Sequence, residues 1–184
     1  MVHDDAAYSR YLAGDPSAGD ALILKYNGRL ILYLSALTHD ATEAEDLAVE
    51  TFATILLKRP KIRPGGFQAY LYRSARNRAL RFFALRRRRD SFYLEESQVG
   101  ALLTVRPEDE FLRDERRQSV RRCLERIDPK CREALWLTYF EDMSYAEAAA
   151  VMGVNAKKVD NLLARGKRLM KTELEKEGIT HADG

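Results

Sequence analysis

Apolar residues recur at intervals of three and four along most of the chain, and no stretch keeps the period-two alternation of a half-buried strand. This pattern predicts an all-α protein. In the first half of the chain, helices are predicted over residues 5–12, over a long segment with apolar positions from 22 to 37, from after residue 42 through 56, and over 67–89. In the second half, helices are predicted over 108–126 and 129–140, followed by two short helices after residue 143.

The third and fourth predicted helices carry distinct start signals. Asp40 with Glu43, and Thr42 with Glu45, both have the spacing of a capping box, and the sequence leaves the choice open. Prolines and glycines between residues 60 and 66 force a loop before the fourth helix. On that helix we expect one stripe to face the core, formed by Phe67, Leu71, Ala75, Ala79 and Phe82 or Phe83.

The most specific local pattern is SYAEAAAVMGVNAKKVDNLLARGKRL, which starts at Ser144. Ser144 and Glu147 have capping-box spacing. Gly153 can end a helix in the left-handed conformation, and Asn155 can cap the helix that follows. We therefore predict a helix-turn-helix, with an ordinary helical hairpin as the alternative. The apolar positions expected to pack its two helices together are Ala148, Ala149, Met152, Val154, Val159 and Leu162.

The second helix of this motif leaves a polar face that could read DNA. Asn and Arg make paired hydrogen bonds to adenine and guanine in the major groove, Asp can accept from cytosine, and Lys suits phosphates. Tyr145, near the start of the preceding helix, is expected to touch the DNA backbone. The candidate residues on the second helix are Asn155, Lys157, Lys158, Asp160, Asn161 and Arg165, continuing into Lys167 and Arg168.

Charge is distributed unevenly, although the chain of 184 residues nets only +3. Residues 1–57 carry three basic and nine acidic side chains, residues 58–89 carry twelve basic and no acidic ones, and residues 90–184 carry sixteen and nineteen. A basic block without acidic residues is expected for contact with a phosphate backbone. The alternative is an ordinary solvated face, but such surfaces usually mix both signs.

Helical periodicity is lost between residues 90 and 114, where seven acidic and two basic residues accompany a glycine and a proline. This composition is typical of a linker. The sequence therefore predicts two small helical domains, at 1–89 and 114–184, joined by an acidic linker at 90–113. The C-terminal domain contains the helix-turn-helix.

Several classes of protein are disfavoured. Cys123 and Cys131 have no histidine at metal-ligand spacing, so we interpret both as buried packing residues and expect no metal and no cofactor. No group of His, Cys and carboxylates has catalytic spacing, so we expect no enzyme activity. The N-terminus lacks the apolar core of a signal peptide, and no apolar stretch approaches a membrane span, so we expect a cytoplasmic protein without direct membrane insertion.

Several segments together resemble the bacterial sigma-70 family, and within it the small extracytoplasmic-function (ECF) group. LAGDP at 12–16, followed by Leu22 and Tyr26, looks like the family's opening. AEDLAVETF at 44–52 looks like the core of its region two, and FQAYLYRSARN at 67–77 like the segment leading into minus-ten promoter recognition. The helix-turn-helix is similar to region four, which binds the minus-thirty-five element. The stretch between is too short for a folded region three, which separates the ECF group from larger sigma factors.

The resemblance implies a transcription initiation factor that binds core RNA polymerase, directs it to promoter DNA and helps to open the minus-ten element. It also implies that Glu45, Asp46 and Glu50 dock on the clamp helices of the polymerase's largest subunit, where an acidic face gives steering and register. The acidic linker would pass through the polymerase's RNA channel. An anti-sigma factor is implied as a further partner.

At the minus-ten element, the resemblance implies capture of unstacked bases by cations interleaved with aromatic rings. The loop 61–66 lies where the group holds a flipped base. We expect Phe67 and Leu71 mainly to pack in the core. The residues implied in minus-ten binding are Lys61, Arg63, Tyr70, Tyr72, Arg73, Arg76, Asn77 and Arg78.

Three sites depart from the family pattern: Tyr70 stands where Trp is usual, Val49 where Gln is usual, and Asp160 with Asn161 where many members have a basic residue and Ser. Asp160 would be repelled by phosphates unless it meets a cytosine amine or a basic neighbour. The alternative function is a free-standing helix-turn-helix regulator of the LuxR type. Such a regulator would explain the C-terminal motif but not the basic fourth helix or the acidic segment around Glu45.

Overall fold

The computed structural model describes residues 2–93 and 115–178. Regular structure in these ranges is entirely helical, which confirms the predicted all-α class. The chain divides into two compact units, Met1–Arg106 and Pro107–Gly184. The helices in the described ranges are Val2–Leu12 (α1), Pro16–Thr38 (α2), Ala41–Lys58 (α3), Phe67–Tyr93 (α4), Glu115–Arg126 (α5), Pro129–Leu135 (α6), Tyr145–Met152 (α7) and Ala156–Lys176 (α8).

Short acidic side chains start two helices of the first unit. Asp15 caps α2, because its carboxylate accepts the backbone N–H two residues later at 3.1 Å. Asp40 caps α3 in the same way, accepting the Glu43 N–H at 3.1 Å. Of the two start signals considered for α3, the Asp40 side chain therefore supplies the cap. The Thr42 alternative is wrong, because α3 begins at Ala41 and Thr42 already lies in its first turn.

Helix α1 begins at Val2, earlier than the predicted start at residue 5. Its first turn is anchored by Asp4, which is buried, accepts the Tyr26 hydroxyl at 2.7 Å and pairs with Lys25 of α2. A buried carboxylate is stable only with such partners. The early start thus depends on a contact with α2 that local sequence does not contain.

Aromatic rings fill the centre of the first unit. Tyr26, Tyr33, Phe67 and Tyr72 are each at most 2% exposed. Neighbouring rings among them have centroids 5.2 to 6.5 Å apart in tilted or edge-on arrangements. Four residues of the predicted core-facing stripe on α4 are buried, as expected: Phe67, Leu71, Ala75 and Ala79. Phe82 and Phe83 are only half-buried, and their ring centroids lie 5.8 Å apart.

Helix α4 continues to Tyr93, past the predicted end at Arg89. The run of arginines does not stop it, because Arg is a good helix former. The prediction that the linker begins at residue 90 is therefore wrong for residues 90–93, which are helical. The rest of the predicted acidic linker lies outside the described residues.

In the second unit, the predicted helix at 129–140 is present but changes character. Asp128 caps α6, accepting backbone N–H groups from Lys130 at 3.1 Å and Cys131 at 3.2 Å. After α6, Trp136–Phe140 form a π-helical turn. The helix predicted from 108 is described from Glu115 onward, and residues 108–114 lie outside the described ranges.

Both cysteines lie in the core of the second unit. Cys123 and Cys131 are free thiols that are fully buried, as predicted. Burial raises the pKa of each thiol, so both remain protonated near neutral pH. They pack as small apolar side chains.

Among residues 2–93 and 115–178, no helix combines the length and the apolar character of a transmembrane span.

Candidate nucleic-acid interface

The helix-turn-helix is formed by α7 and α8, and its three local signals are confirmed. Ser144 and Glu147 form a reciprocal capping box, with the Ser144 N–H donating to the Glu147 carboxylate at 2.8 Å and the Glu147 N–H donating to the Ser144 hydroxyl at 3.3 Å. Gly153 adopts the left-handed conformation with φ of 68°. Asn155 Oδ1 accepts the Lys158 N–H at 2.8 Å and so caps α8. These local bonds fix both helix ends that meet at the turn.

The packing between α7 and α8 follows the prediction at five of the six apolar positions. Val154 is the exception, with 38% of its surface exposed. It lies in the turn just after Gly153, and its N–H bonds to the Ala149 carbonyl at 3.0 Å, which leaves its side chain outside the core. The buried positions are Ala148, Ala149, Met152, Val159 and Leu162.

Helix α8 presents a polar face to solvent. Its buried residues lie on one side, and at helical spacing a row on the opposite side consists of Lys157, Asn161, Ala164 and Arg168. All four residues are exposed. We call these residues the α8 row. The other predicted residues of this face are also exposed: Asn155, Lys158, Asp160 and Arg165, as is Tyr145 at the start of α7.

The sequence pattern did not fully identify two residues of the α8 row as base-reading candidates. Arg168 appeared only as a continuation of the face, and Ala164 was missed. Helical spacing could have identified both, because Ala164 and Arg168 follow Lys157 by seven and eleven positions, which places them on the same side of the helix. The short Ala164 side chain allows the helix axis to approach a groove closely, and Ala can contact a thymine methyl group.

Neighbouring charges hold parts of this face in place. Lys167 lies over the Tyr139 ring, with Nζ 5.2 Å from the centroid, and a hydrogen bond to Tyr139 raises the pKa of Lys167. The charge of Asp160 contributes to the same shift, so this acidic residue has a basic neighbour. Backbone N–H groups of the α6 cap lower the pKa of Asp128, and Arg165 contributes to that shift.

Helix α4 carries a row of exposed polar side chains that includes two arginines. Tyr70, Arg73, Asn77 and Arg81 recur on one side of the helix and are all exposed, with 37% of Tyr70 accessible. We call these residues the α4 row. Arg81 was missed at the sequence level, although it stands four residues after Asn77 on a helix. Arg76 is half-buried beside this row and has a partner of its own.

Tyr72 does not belong to this surface, and its prediction as a minus-ten contact is wrong. It is fully buried, with its ring 5.2 Å from Tyr33 and 6.5 Å from Tyr26. Two positions after Tyr70, it faces the opposite side of α4. A ring enclosed in this way has no free face on which a base could stack.

Arg78 is directed to α3 rather than to the α4 row. Its guanidinium donates to Glu50 at 2.9 Å and also to the Thr54 hydroxyl. One quarter of its side chain remains exposed. The structure thus places a predicted DNA contact, Arg78, against a predicted polymerase contact, Glu50.

The loop between α3 and α4 presents two more cations. Lys61 and Arg63 are both exposed. Gly65 has a φ of 78°, and the Gly66 N–H donates to the Arg63 carbonyl at 2.9 Å, which closes a tight turn. Because Arg59 ends α3 in the left-handed conformation, the loop leaves the helix sharply.

The exposed side of α3 carries acidic residues with an apolar residue among them. Glu45, Asp46 and Glu50 are exposed, and Val49 among them is 64% exposed. Burial and then the charges of Asp40, Asp46 and Glu50 raise the pKa of the nearby Glu43. Such crowding of like charges favours a basic partner.

These features define the class of the protein: an all-helical, two-unit DNA-binding protein whose second unit is a helix-turn-helix with a basic outer face. The family model for Sigma-70 region 2 matches residues 22–90, and the one for Sigma-70, region 4 matches residues 117–170. The RNA polymerase sigma-H factor of Pseudomonas aeruginosa is 32% identical over 160 residues, which cover 81% of this chain and 82% of that protein. The chain belongs to the sigma-70 family of RNA polymerase sigma factors, in its ECF group.

Other relatives agree with this assignment. The ECF RNA polymerase sigma-E factor of Escherichia coli is 27% identical over 161 residues, covering 83% of this chain and 84% of that protein. Among solved structures, CnrH in complex with the cytosolic domain of CnrY has the same fold, with a TM-score of 0.65, 21% identity and coverage of 94% of this chain and 97% of that one. The sigma factor RpoE, in complex with the anti-sigma factor NepR from Bartonella quintana, gives a TM-score of 0.67 at 21% identity, covering 85% and 96%.

Family membership decides between the two functions considered. The protein is a transcription initiation factor, which binds core RNA polymerase and directs it to promoters. A LuxR-type regulator would leave the region-two match over 22–90 without explanation.

Proposed function

We propose that the two units read the two promoter elements separately, with the first unit also docking on the polymerase. The first unit, through the end of α4 at residue 93, is assigned to minus-ten recognition and polymerase docking. Residues 94–113 are assigned as the linker, and residues 114–184 to minus-thirty-five recognition. The observation that carries the proposal is the exposed basic row on each unit, on α4 and on α8. Both rows stand opposite buried faces of their helices, so they are free to meet nucleic acid.

In the second unit, the α8 row enters the major groove of the minus-thirty-five element. Asn161 and Arg165 are the base readers, because Asn suits adenine and Arg suits guanine in paired hydrogen bonds. Lys157, Lys158 and the exposed Tyr145 contact phosphates. Asn155 offers its amide NH₂ to DNA while its oxygen serves the helix cap.

In the first unit, the α4 row and the loop 61–66 engage the single strand exposed at the minus-ten element. Tyr70 offers a ring for stacking, Arg73 and Asn77 contact the strand, and Lys61 and Arg63 attract its phosphates. Arg76 supports this row from its edge. Arg78 has a different role: by bonding to Glu50 and Thr54 it fixes α4 against α3.

The acidic side of α3 docks on core polymerase. Glu45, Asp46 and Glu50 supply charge that steers the encounter, and exposed Val49 supplies apolar contact at the centre. The protein works without enzyme activity of its own, in the cytoplasm where polymerase works. An anti-sigma factor holds it inactive, by analogy with RpoE and NepR.

Transcription by reconstituted holoenzyme on a genomic template library tests this function. We expect promoter-specific transcripts that depend on the added chain, and weak DNA binding by the chain alone. Reversing charge in Glu45→Lys/Asp46→Lys should abolish binding to core polymerase while the circular dichroism spectrum stays helical. Asp20→Lys, which reverses an exposed charge on α2, is the matched control and should bind normally.

Two results would contradict the proposal. Tight operator binding without polymerase, together with no co-purification of polymerase, would indicate a free-standing regulator. Normal polymerase affinity in the Glu45→Lys/Asp46→Lys variant would place the docking surface elsewhere.

A further inference from the structure

Both ends of the loop between α3 and α4 are tied to α1. The Tyr8 hydroxyl donates to the Pro60 carbonyl at 2.8 Å, where the loop begins. The Asp5 carboxylate accepts the Gly65 N–H, where the loop turns back toward α4. These bonds join residues 52 and 60 positions apart in sequence. Helix α1 therefore spans the base of a loop whose tip carries the exposed Lys61 and Arg63.

Helix α1 is itself firmly seated. The Tyr8 ring is 4% exposed and lies 5.1 Å from the Phe67 ring at the start of α4. Burial raises the pKa of the Tyr8 hydroxyl, so it remains a donor across the physiological range. One turn earlier, Asp4 is bonded to Lys25 and Tyr26 of α2. The hydrogen bonds from Tyr8 and Asp5 to the loop are therefore made by a helix that is held in place by its contacts with α2 and α4.

We propose that α1 positions the loop between α3 and α4, with Asp5 and Tyr8 as positioning residues that determine the strength of base preference at the minus-ten element. This inference rests on the proposed minus-ten role of the loop. A loop held in its binding conformation loses less entropy when a base enters, and its polar groups keep a fixed geometry for discrimination. The region-two family match begins at residue 22, so neither residue falls within it.

The backbone of the loop explains why such ties matter. Gly65 has a positive φ and Arg59 leaves α3 in the left-handed conformation, so the chain turns sharply at both ends. Between these turns, Lys61 and Arg63 extend into solvent. Release of the Pro60 carbonyl or the Gly65 N–H would let the tip move while the helices on either side stay packed.

The test uses holoenzyme made with the full chain, at saturating amounts, on a promoter library randomised across the minus-ten element. Tyr8→Phe removes one hydroxyl and keeps the packed ring, and Asp5→Ala removes the acceptor for Gly65. We expect each variant to reduce the preference for the best base over the next by about fivefold at one or two positions, the size of one hydrogen bond. Base preferences on a second library, randomised across the minus-thirty-five element, and affinity for core polymerase should not change.

Two matched variants separate positioning from general stability. Tyr11→Phe removes a hydroxyl of the same helix that donates to the Leu56 carbonyl at 2.9 Å, within α3 rather than in the loop. Asp5→Asn keeps an oxygen that can accept from Gly65. Both should read the minus-ten element as the wild type does. A purely structural defect would lower transcription from all library members alike, without changing base preference.

The outcomes distinguish this inference from the function on which it rests. Unchanged base preferences in both Tyr8→Phe and Asp5→Ala, with an active wild type, would overturn the positioning role alone. Wild-type chain that gives no polymerase-dependent promoter transcription would overturn the proposed function. If Asp5→Ala fails to fold, Tyr8→Phe decides the question, because its ring packing is retained.

Discussion

At the scale of single residues, neighbours decide which candidate side chains are free to act. Tyr70 and Tyr72 are two positions apart, yet the first is exposed and the second is fully buried. Arg78 carries the same guanidinium as Arg73, but it is bonded to Glu50 of α3. Residue type therefore indicates which contacts a side chain could make, and the side of the helix on which the residue lies determines whether the side chain is free to make them.

Arg165 gives a prediction at this scale. Arg165→Ala should weaken minus-thirty-five recognition by about 1–3 kcal/mol, because a paired hydrogen bond to a base is lost. Holoenzyme binding measured over promoters mutated at each minus-thirty-five position would locate the base concerned. Arg165→Lys keeps the charge but not the planar fork, so it should retain phosphate attraction and lose base preference. An unchanged preference across the promoter set in both variants would remove Arg165 from the base readers.

At the scale of elements, caps and interhelical bonds set where helices begin. Asp40 starts α3 and Ser144 starts α7, each by a bond to the backbone N–H three residues later. The start of α1 is different, since it depends on Asp4 meeting Lys25 and Tyr26 of α2. Stability of α1 is consequently linked to the ionisation of one carboxylate.

That linkage predicts a pH dependence. Burial alone would raise the pKa of Asp4, but hydrogen bonds from Lys25 and Tyr26 outweigh it, and the pKa is lowered. The ionised form is thus favoured by folding, so its contribution is present above the ordinary Asp pKa of about 3.9 and is lost as pH falls through the lower folded value.

Urea unfolding of Asp4→Asn beside the wild type measures this contribution. Near pH 7 we expect the variant to be less stable by about 2 kcal/mol, as for a hydrogen-bonded charge. The difference should shrink below about pH 4 and vanish once the pH falls below the lowered pKa of Asp4, because the folded wild-type carboxylate is then also neutral. Asp20→Asn, an exposed change on α2, should show little difference at either pH. A constant deficit at all pH values would assign the effect to packing instead of charge.

At the scale of the whole molecule, a net charge of +3 results from opposing surfaces. The acidic side of α3 and the basic rows of α4 and α8 serve partners of opposite charge. The cationic rows belong to separate compact units, Met1–Arg106 and Pro107–Gly184. Effects on the two promoter elements should consequently be independent.

A double-mutant cycle checks this independence. Asn77→Ala in the first unit and Arg165→Ala in the second should each weaken promoter binding by holoenzyme. Because the residues belong to separate compact units, we expect the free-energy changes to add within about 0.5 kcal/mol. A coupling energy well above that value would show that the two units respond to promoter DNA as one.

Features that depend on neighbours within about one turn of helix could be predicted from the amino-acid sequence alone. These include the all-α class, the capping box at Ser144, the left-handed Gly153, the Asn155 cap and the buried side of α4. Each follows from spacing along one helix or from one short backbone motif. The family resemblance followed from the same local segments.

Contacts between distant parts of the chain became known only from the folded structure. It enclosed Tyr72 among the aromatic rings of α2, turned Arg78 to Glu50, and brought Asp5 and Tyr8 of α1 to the loop between α3 and α4. These partners are separated by tens of residues, and helical periodicity carries no information about which helices meet. Helical periodicity predicted the DNA-binding helices, but it could not identify the side chains from other helices that hold them and the loop between α3 and α4 in place.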